Sequence, residues 1–193
     1  MKLSEYYKLI KDEEVARRYF VVNTFDGAMT ILGIILAFYI SGNRNDAVVI
    51  TSAVGASIAI AISGIWGAYA IERAERMRSI QELERHLIRE LDQTLIERKV
   101  NIVTIMVALV DGLSPLVTAM IIISPFLASR AGLVDVESAF FLSIGLVALT
   151  LFGLGVIVAR IAREELIQSG VKMLFAGVLV SVVTLILDYA KII

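Results

Sequence analysis

Residues 47–71 read AVVITSAVGASIAIAISGIWGAYAI. Twenty-five residues pass without a charged side chain. As a helix they reach about 37 Å, more than the ~30 Å of a bilayer's hydrocarbon core. No water is available there, so the segment must satisfy its own backbone N–H and C=O groups, and a helix does so. This stretch is a transmembrane helix, and the rest of the chain follows the same pattern. Apolar residues make up 58% of the 193 and charged residues 19%, whereas soluble domains are about 45–50% apolar. The charges fall in clusters between apolar runs. A soluble globular domain and a disordered chain are excluded.

Four further spans frame the first: Phe20–Ile40, Val100–Ala128, Ser138–Ala159 and Gly170–Leu187. The expected fold is all-α, a polytopic membrane protein of five helices. Residues 1–19 form a charged N-terminal segment with Leu3, Tyr7 and Ile10 at helical spacing, expected as an amphipathic helix on the membrane surface. Residues 20–71 hold spans one and two, 72–99 a polar insert, and 100–193 spans three to five. The absence of cysteine excludes disulfides and thiolate metal sites. A net charge of −1 leaves no footprint for nucleic acid.

Lys and Arg orient the chain. Five lie in the N-terminal segment, seven in the insert and three at Arg160, Arg163 and Lys172; only Arg44, Arg130 and Lys191 fall on the other side. Fifteen against three predicts a cytoplasmic N-terminus and insert, and a C-terminus outside, in the plasma membrane of a prokaryote.

In the second span Gly55, Ala59, Ser63 and Gly67 recur every four residues, a small-residue face that lets helices approach closely. Packing within the protomer is the first reading, a dimer contact the second. There is also a faint repeat. Phe25-Asp26-Gly27-Ala28 resembles Val110-Asp111-Gly112-Leu113, 85 residues later, and duplicated halves often place a substrate site at their interface.

Asp26 and Asp111 lie inside spans. A carboxylate there is costly unless paired, protonated or wet, so each is a functional candidate. For Asp26 the alternative is an interfacial cap beside Asn23 and Thr24. Asp111 is followed by Pro115, which has no N–H to give to the carbonyl of Asp111. That leaves either an ion path beside a kink or a structural kink alone.

The insert carries seven acids and neither Gly nor Pro. It must reverse, and Ser79-Ile80-Gln81-Glu82 reads as a capping box that starts a new helix at Ser79. Ile80, Leu83, Leu87, Leu91 and Leu95 form an apolar stripe. Glu82, His86 and Glu90 share another face, a donor set suited to Mn²⁺, Fe²⁺ or Zn²⁺. The alternative is a solvated face held by ion pairs such as Glu72–Arg76. Glu72 and Glu75 continue the second span and would sit at a pore mouth. No nucleophile–base–acid set or phosphate loop is present, so an enzyme is not expected.

These features resemble the vacuolar iron transporter family over nearly the whole chain. Arg17-Arg18 followed by Asp26-Gly27 is similar to the family's opening motif, and Ser169-Gly170-Val171-Lys172-Met173-Leu174-Phe175-Ala176-Gly177 is similar to its last-span entry. The resemblance implies a homodimer whose paired first spans line a path. It implies movement of Fe²⁺ or Mn²⁺ out of the cytosol in exchange for protons, with no permanently bound cofactor. It also implies that Asp26 is the transport carboxylate, and that Glu residues of the insert bind metal first. The family's second span often reads Ser-Met-x-x-Gly-Glu-Tyr. Here Gly64 stands at the Met position and Ala68 at the Glu position. Glu72, one turn beyond Ala68, offers a replacement carboxylate. Against a carrier stands one other reading, a non-transporting assembly or metal-sensing protein whose insert binds a partner.

Overall fold

A computed structural model describes residues 3–87 and 93–190, with side chains over 14–82 and 101–190. Five helices account for nearly all of it: α1 (Leu3–Ile40), α2 (Asp46–Leu87), α3 (Gln93–Arg130), α4 (Val136–Ala162) and α5 (Leu166–Tyr189). There is no strand among the described residues. All five helices are long and apolar enough to cross a membrane. The all-α, five-span expectation therefore holds.

Two helices run further than the sequence pattern suggests. The N-terminal segment is not a separate surface helix but the first turns of α1, which continues unbroken to Ile40. Nothing between Leu3 and Asp26 breaks it, because the first glycine is Gly27 and proline is absent. The capping box at Ser79 is not used either. α2 passes straight through it to Leu87, and the Ser79 hydroxyl donates back to the Glu75 carbonyl at 3.0 Å, the bond of a serine in mid-helix. A cap needs a break in the helix before it, and the preceding residues, all good helix formers or neutral, supply none.

The helices alternate in direction, and α3 is the hub, packing on α1, α2 and α4, while α5 packs on α4 and α1. The core centres on Ile31 and Ile35 of α1, Ile122, Ile123 and Phe126 of α3, and Phe140, Val147 and Leu151 of α4. α3 stays helical through Pro115 and Pro125. At Pro125 the carbonyl deprived of its donor, that of Ile121, accepts from the Ser124 hydroxyl at 2.7 Å, which spares it an unsatisfied group in hydrocarbon.

At the end of the bundle away from residues 72–99, a clamp closes α1 onto α4. Arg44 Nε donates to Glu137 at 2.8 Å, and its guanidinium lies 4.5 Å over the Tyr39 ring and 5.1 Å over Phe140. Asp135 caps α4, accepting from the Ser138 backbone N–H at 2.8 Å and its hydroxyl at 2.7 Å.

The small-residue face of α2 points outward. Gly55, Ala59 and Ser63 are exposed, and nothing stands within 4 Å of a Cβ built on Gly55 or Gly67. Packing within the protomer, the first reading of that face, is not what it does. The close approaches lie elsewhere. A Cβ on Gly27 would stand 2.9 Å from the Pro115 Cα, so α1 and α3 touch backbone to backbone there. Gly155 of α4 meets Gly170 of α5 in the same way.

Candidate functional site

Three helices bring the polar groups of the spans together. α1 and α3 run parallel in a fixed register: Asn23 meets Asp111, and one turn on Gly27 meets Pro115. The Asn23 amide donates to Asp111 Oδ1 and also to the Tyr19 carbonyl at 3.3 Å. The other carboxylate oxygen, Oδ2, lies over the bare backbone of Gly64 in α2, only 2.8 Å from where a Cβ would be. Any side chain at position 64 would displace it. Asp111 is 3% exposed, so its carboxyl is held by the protein rather than by solvent.

One face of α2 continues the site. Two turns beyond Gly64, Glu72 is 4% exposed. Arg76 lies 3.4 Å away, in the i,i+4 pairing expected from the sequence. Tyr19 of α1 stands within electrostatic reach of Glu72, Glu75 and Asp111. Asp26 is a neighbour of Asp111 in the same sense, but it faces outward from the bundle. The two acids of the internal repeat therefore differ: Asp111 is sealed between helices, and Asp26 lies on the protomer's outer surface within a span.

The other candidates are more dispersed. Glu75 is exposed. Glu82 lies on the projecting part of α2 and accepts from Arg78 Nε at 3.0 Å, an exposed pair of small energetic weight. The side chains of His86 and Glu90 lie outside the described residues. Among the described residues no three of His, Cys, Asp and Glu gather as a metal-holding group.

The sequence pattern offers Asn23 only as a neighbour in a cap at Asp26, and gives no sign of Tyr19 or of the space that Gly64 leaves for Asp111. The one available signal was spacing. Asn23 lies one turn before Gly27, on the face that Gly27 turns to α3.

The sequence model of the VIT family matches residues 77–188. The chain belongs to the VIT family. A relative from Methanocaldococcus jannaschii, an uncharacterized protein, is 29% identical over 180 residues, covering 92% of this chain and 91% of the relative. No solved structure matches. Membership places this VIT protein among membrane metal-ion transporters, in keeping with its five apolar helices. The matched stretch takes in α3–α5 and contains Asp111, whereas Asp26, Glu72 and Glu75 precede it.

Proposed function

We infer that this protein carries a divalent metal ion, Fe²⁺ or Mn²⁺, out of the cytosol in exchange for protons, as a homodimer. The observation that carries the reading is Asp26, a carboxylate on the outward face of a spanning helix. A carboxylate facing lipid costs several kcal/mol, roughly 2.5 or more at mid-span. A second copy laid against α1 would remove that cost and turn the face into the wall of a path. The outward small-residue face of α2 supports close approach of such a copy.

In this reading Glu72 and Glu75 form the cytoplasmic entrance, and Glu82, His86 and Glu90 on the insert capture the ion. Asp111 is a secondary proton or positioning group. Asp26 couples the two fluxes because one carboxylate cannot hold a proton and a cation at once: ionised it binds the metal, and neutral it releases it. The basic residues set the N-terminus and insert in the cytoplasm and the C-terminus outside. The membrane is the plasma membrane of a prokaryote.

The test is uptake of Fe²⁺ and Mn²⁺ into proteoliposomes under an imposed pH gradient. Asp26→Asn removes the charge and keeps the shape, and is expected to abolish gradient-driven uptake. An Asp26→Asn protein that transports as fast as the parent would sink this mechanism.

A further inference from the structure

Asp111 is more than an acid near a proline. Three features converge on its turn of α3, and a fourth lies at the same level of α1. Its carboxylate is buried and aimed by Asn23. Its Oδ2 occupies the space that Gly64 leaves open by having no side chain. Its own backbone carbonyl has lost its helical donor to Pro115. One residue on from Asn23 in α1, the Thr24 hydroxyl is buried at 6% exposure and has no hydrogen-bond partner. Buried hydroxyls almost always have one. Thr24 lies between Asn23 and Gly27, the two residues that fix the α1–α3 register, and therefore at the level of Asp111.

Further along the same stripe of α3, away from Pro115, stand the Thr104 hydroxyl and the Asn101 side-chain oxygen, both buried and also without partners. They lie about 10 and 15 Å from Asp111 along the helix axis, too far to share an ion with it. At Asp111 itself the carboxylate repels an anion, and its oxygens, with the Thr24 hydroxyl and the freed carbonyl, are the kind of ligands a hard cation takes. The methionines of α3, Met106 and Met120, face outward, and position 64 supplies no side chain at all.

We propose that the α1–α3 seam of each protomer contains a divalent-cation site made wholly of oxygen ligands, with Asp111 as the charged ligand and Thr24 and the freed Asp111 carbonyl as neutral ones. Such a donor set takes hard ions, Mn²⁺ or Mg²⁺, in preference to ions that seek sulfur. The site rests on the reading of the chain as a divalent-metal carrier, and it differs from the outward Asp26 face in lying inside one protomer. Asn23 is a positioning residue: it spends its amide on Oδ1 and leaves Oδ2 for the ion.

The experiment is Mn²⁺ binding to the full-length protein in nanodiscs, read by electron paramagnetic resonance as loss of the free-ion signal. Asp111→Asn keeps the shape and removes the charge. Gly64→Ala pushes the carboxylate aside without touching a ligand. Both are expected to weaken Mn²⁺ binding tenfold or more, and Thr24→Val, which deletes only the hydroxyl oxygen, by a few-fold. Elution volume and melting temperature report that each variant is folded. Unchanged affinity in Asp111→Asn or in Gly64→Ala overturns the site, as does failure of the parent to bind Mn²⁺. A tenfold preference for Cd²⁺ over Mn²⁺ overturns the oxygen-only assignment. Absence of transport in liposomes, with Mn²⁺ binding still sensitive to Asp111, would sink the carrier reading and leave the site standing. Transport lost in Asp26→Asn, with Mn²⁺ binding indifferent to Asp111, would do the reverse.

Discussion

Gly27→Ala adds a single methyl group where α1 crosses α3. Its Cβ would stand 2.9 Å from the Pro115 Cα, 3.0 Å from the Pro115 Cβ and 3.4 Å from the Pro115 carbonyl oxygen. Carbon atoms rest at about 3.5–4.0 Å, so the helices must part by roughly 0.6 Å or more. The obstacle is backbone and a proline ring, and neither can rotate away. Overpacking of this kind costs about 1–3 kcal/mol. For a chain of 150–250 residues each kcal/mol moves Tm by about 2–4 °C, so the melting temperature should fall by roughly 2–12 °C. Gly33→Ala on the same helix is the control. Nothing stands within 4 Å of a Cβ there, and alanine gains about 0.5–1 kcal/mol over glycine in a helix. The assay is thermal unfolding of both purified variants in one detergent, followed by the fraction remaining monodisperse on size-exclusion chromatography. If Gly27→Ala melts with Gly33→Ala, α1 and α3 do not touch backbone to backbone and the register of the Asn23–Asp111 pair is wrong.

Two further outcomes follow from local structure. Ser79→Ala should leave the melting temperature unchanged or slightly higher, since alanine is the better helix former in mid-helix; a helix cap at Ser79 would instead make the substitution cost about 1 kcal/mol. Asp135 accepts two bonds from Ser138, which hold its carboxyl below the usual carboxylate range. A carboxyl depressed in the folded state contributes stability above its unfolded pKa of about 3.9 and loses that contribution as pH falls through the folded value. The difference in Tm between the parent and Asp135→Ala should therefore be constant above about pH 5 and shrink toward zero below pH 4. A difference that persists at the lowest pH would refute the capping role.

The spans were legible because hydrocarbon imposes a length and an absence of charge, and both are visible residue by residue. Glu72–Arg76 was legible because i,i+4 spacing on a helix is local geometry. Direction was not. Gly55, Ala59, Ser63 and Gly67 define a face in the sequence, yet nothing in the spacing says whether it turns to α3 or away from the bundle. Asp26 and Asp111 stand in matching Asp-Gly pairs, and only tertiary packing makes one outward and the other buried. Ser79 shows the reverse problem: the capping pattern was present, but without a helix break before it the hydroxyl found a carbonyl instead. Asn23 reads in the sequence only as a cap neighbour of Asp26, because an amide in a span carries no charge to draw notice. Its importance comes from a partner 88 residues away.

The length of α2 has a mechanical consequence. The helix has 42 residues and so is about 63 Å long, twice the thickness of the hydrocarbon it crosses. It is one unbroken helix, and its membrane section is gripped along its length: Val49, Ala53 and Ala61 are buried, and Gly112 of α3 lies against Ala61 and Ile65. About 22 Å of it lies beyond Glu72. The polar outboard length and the glycine that makes room for the Asp111 carboxylate therefore belong to a single rigid element.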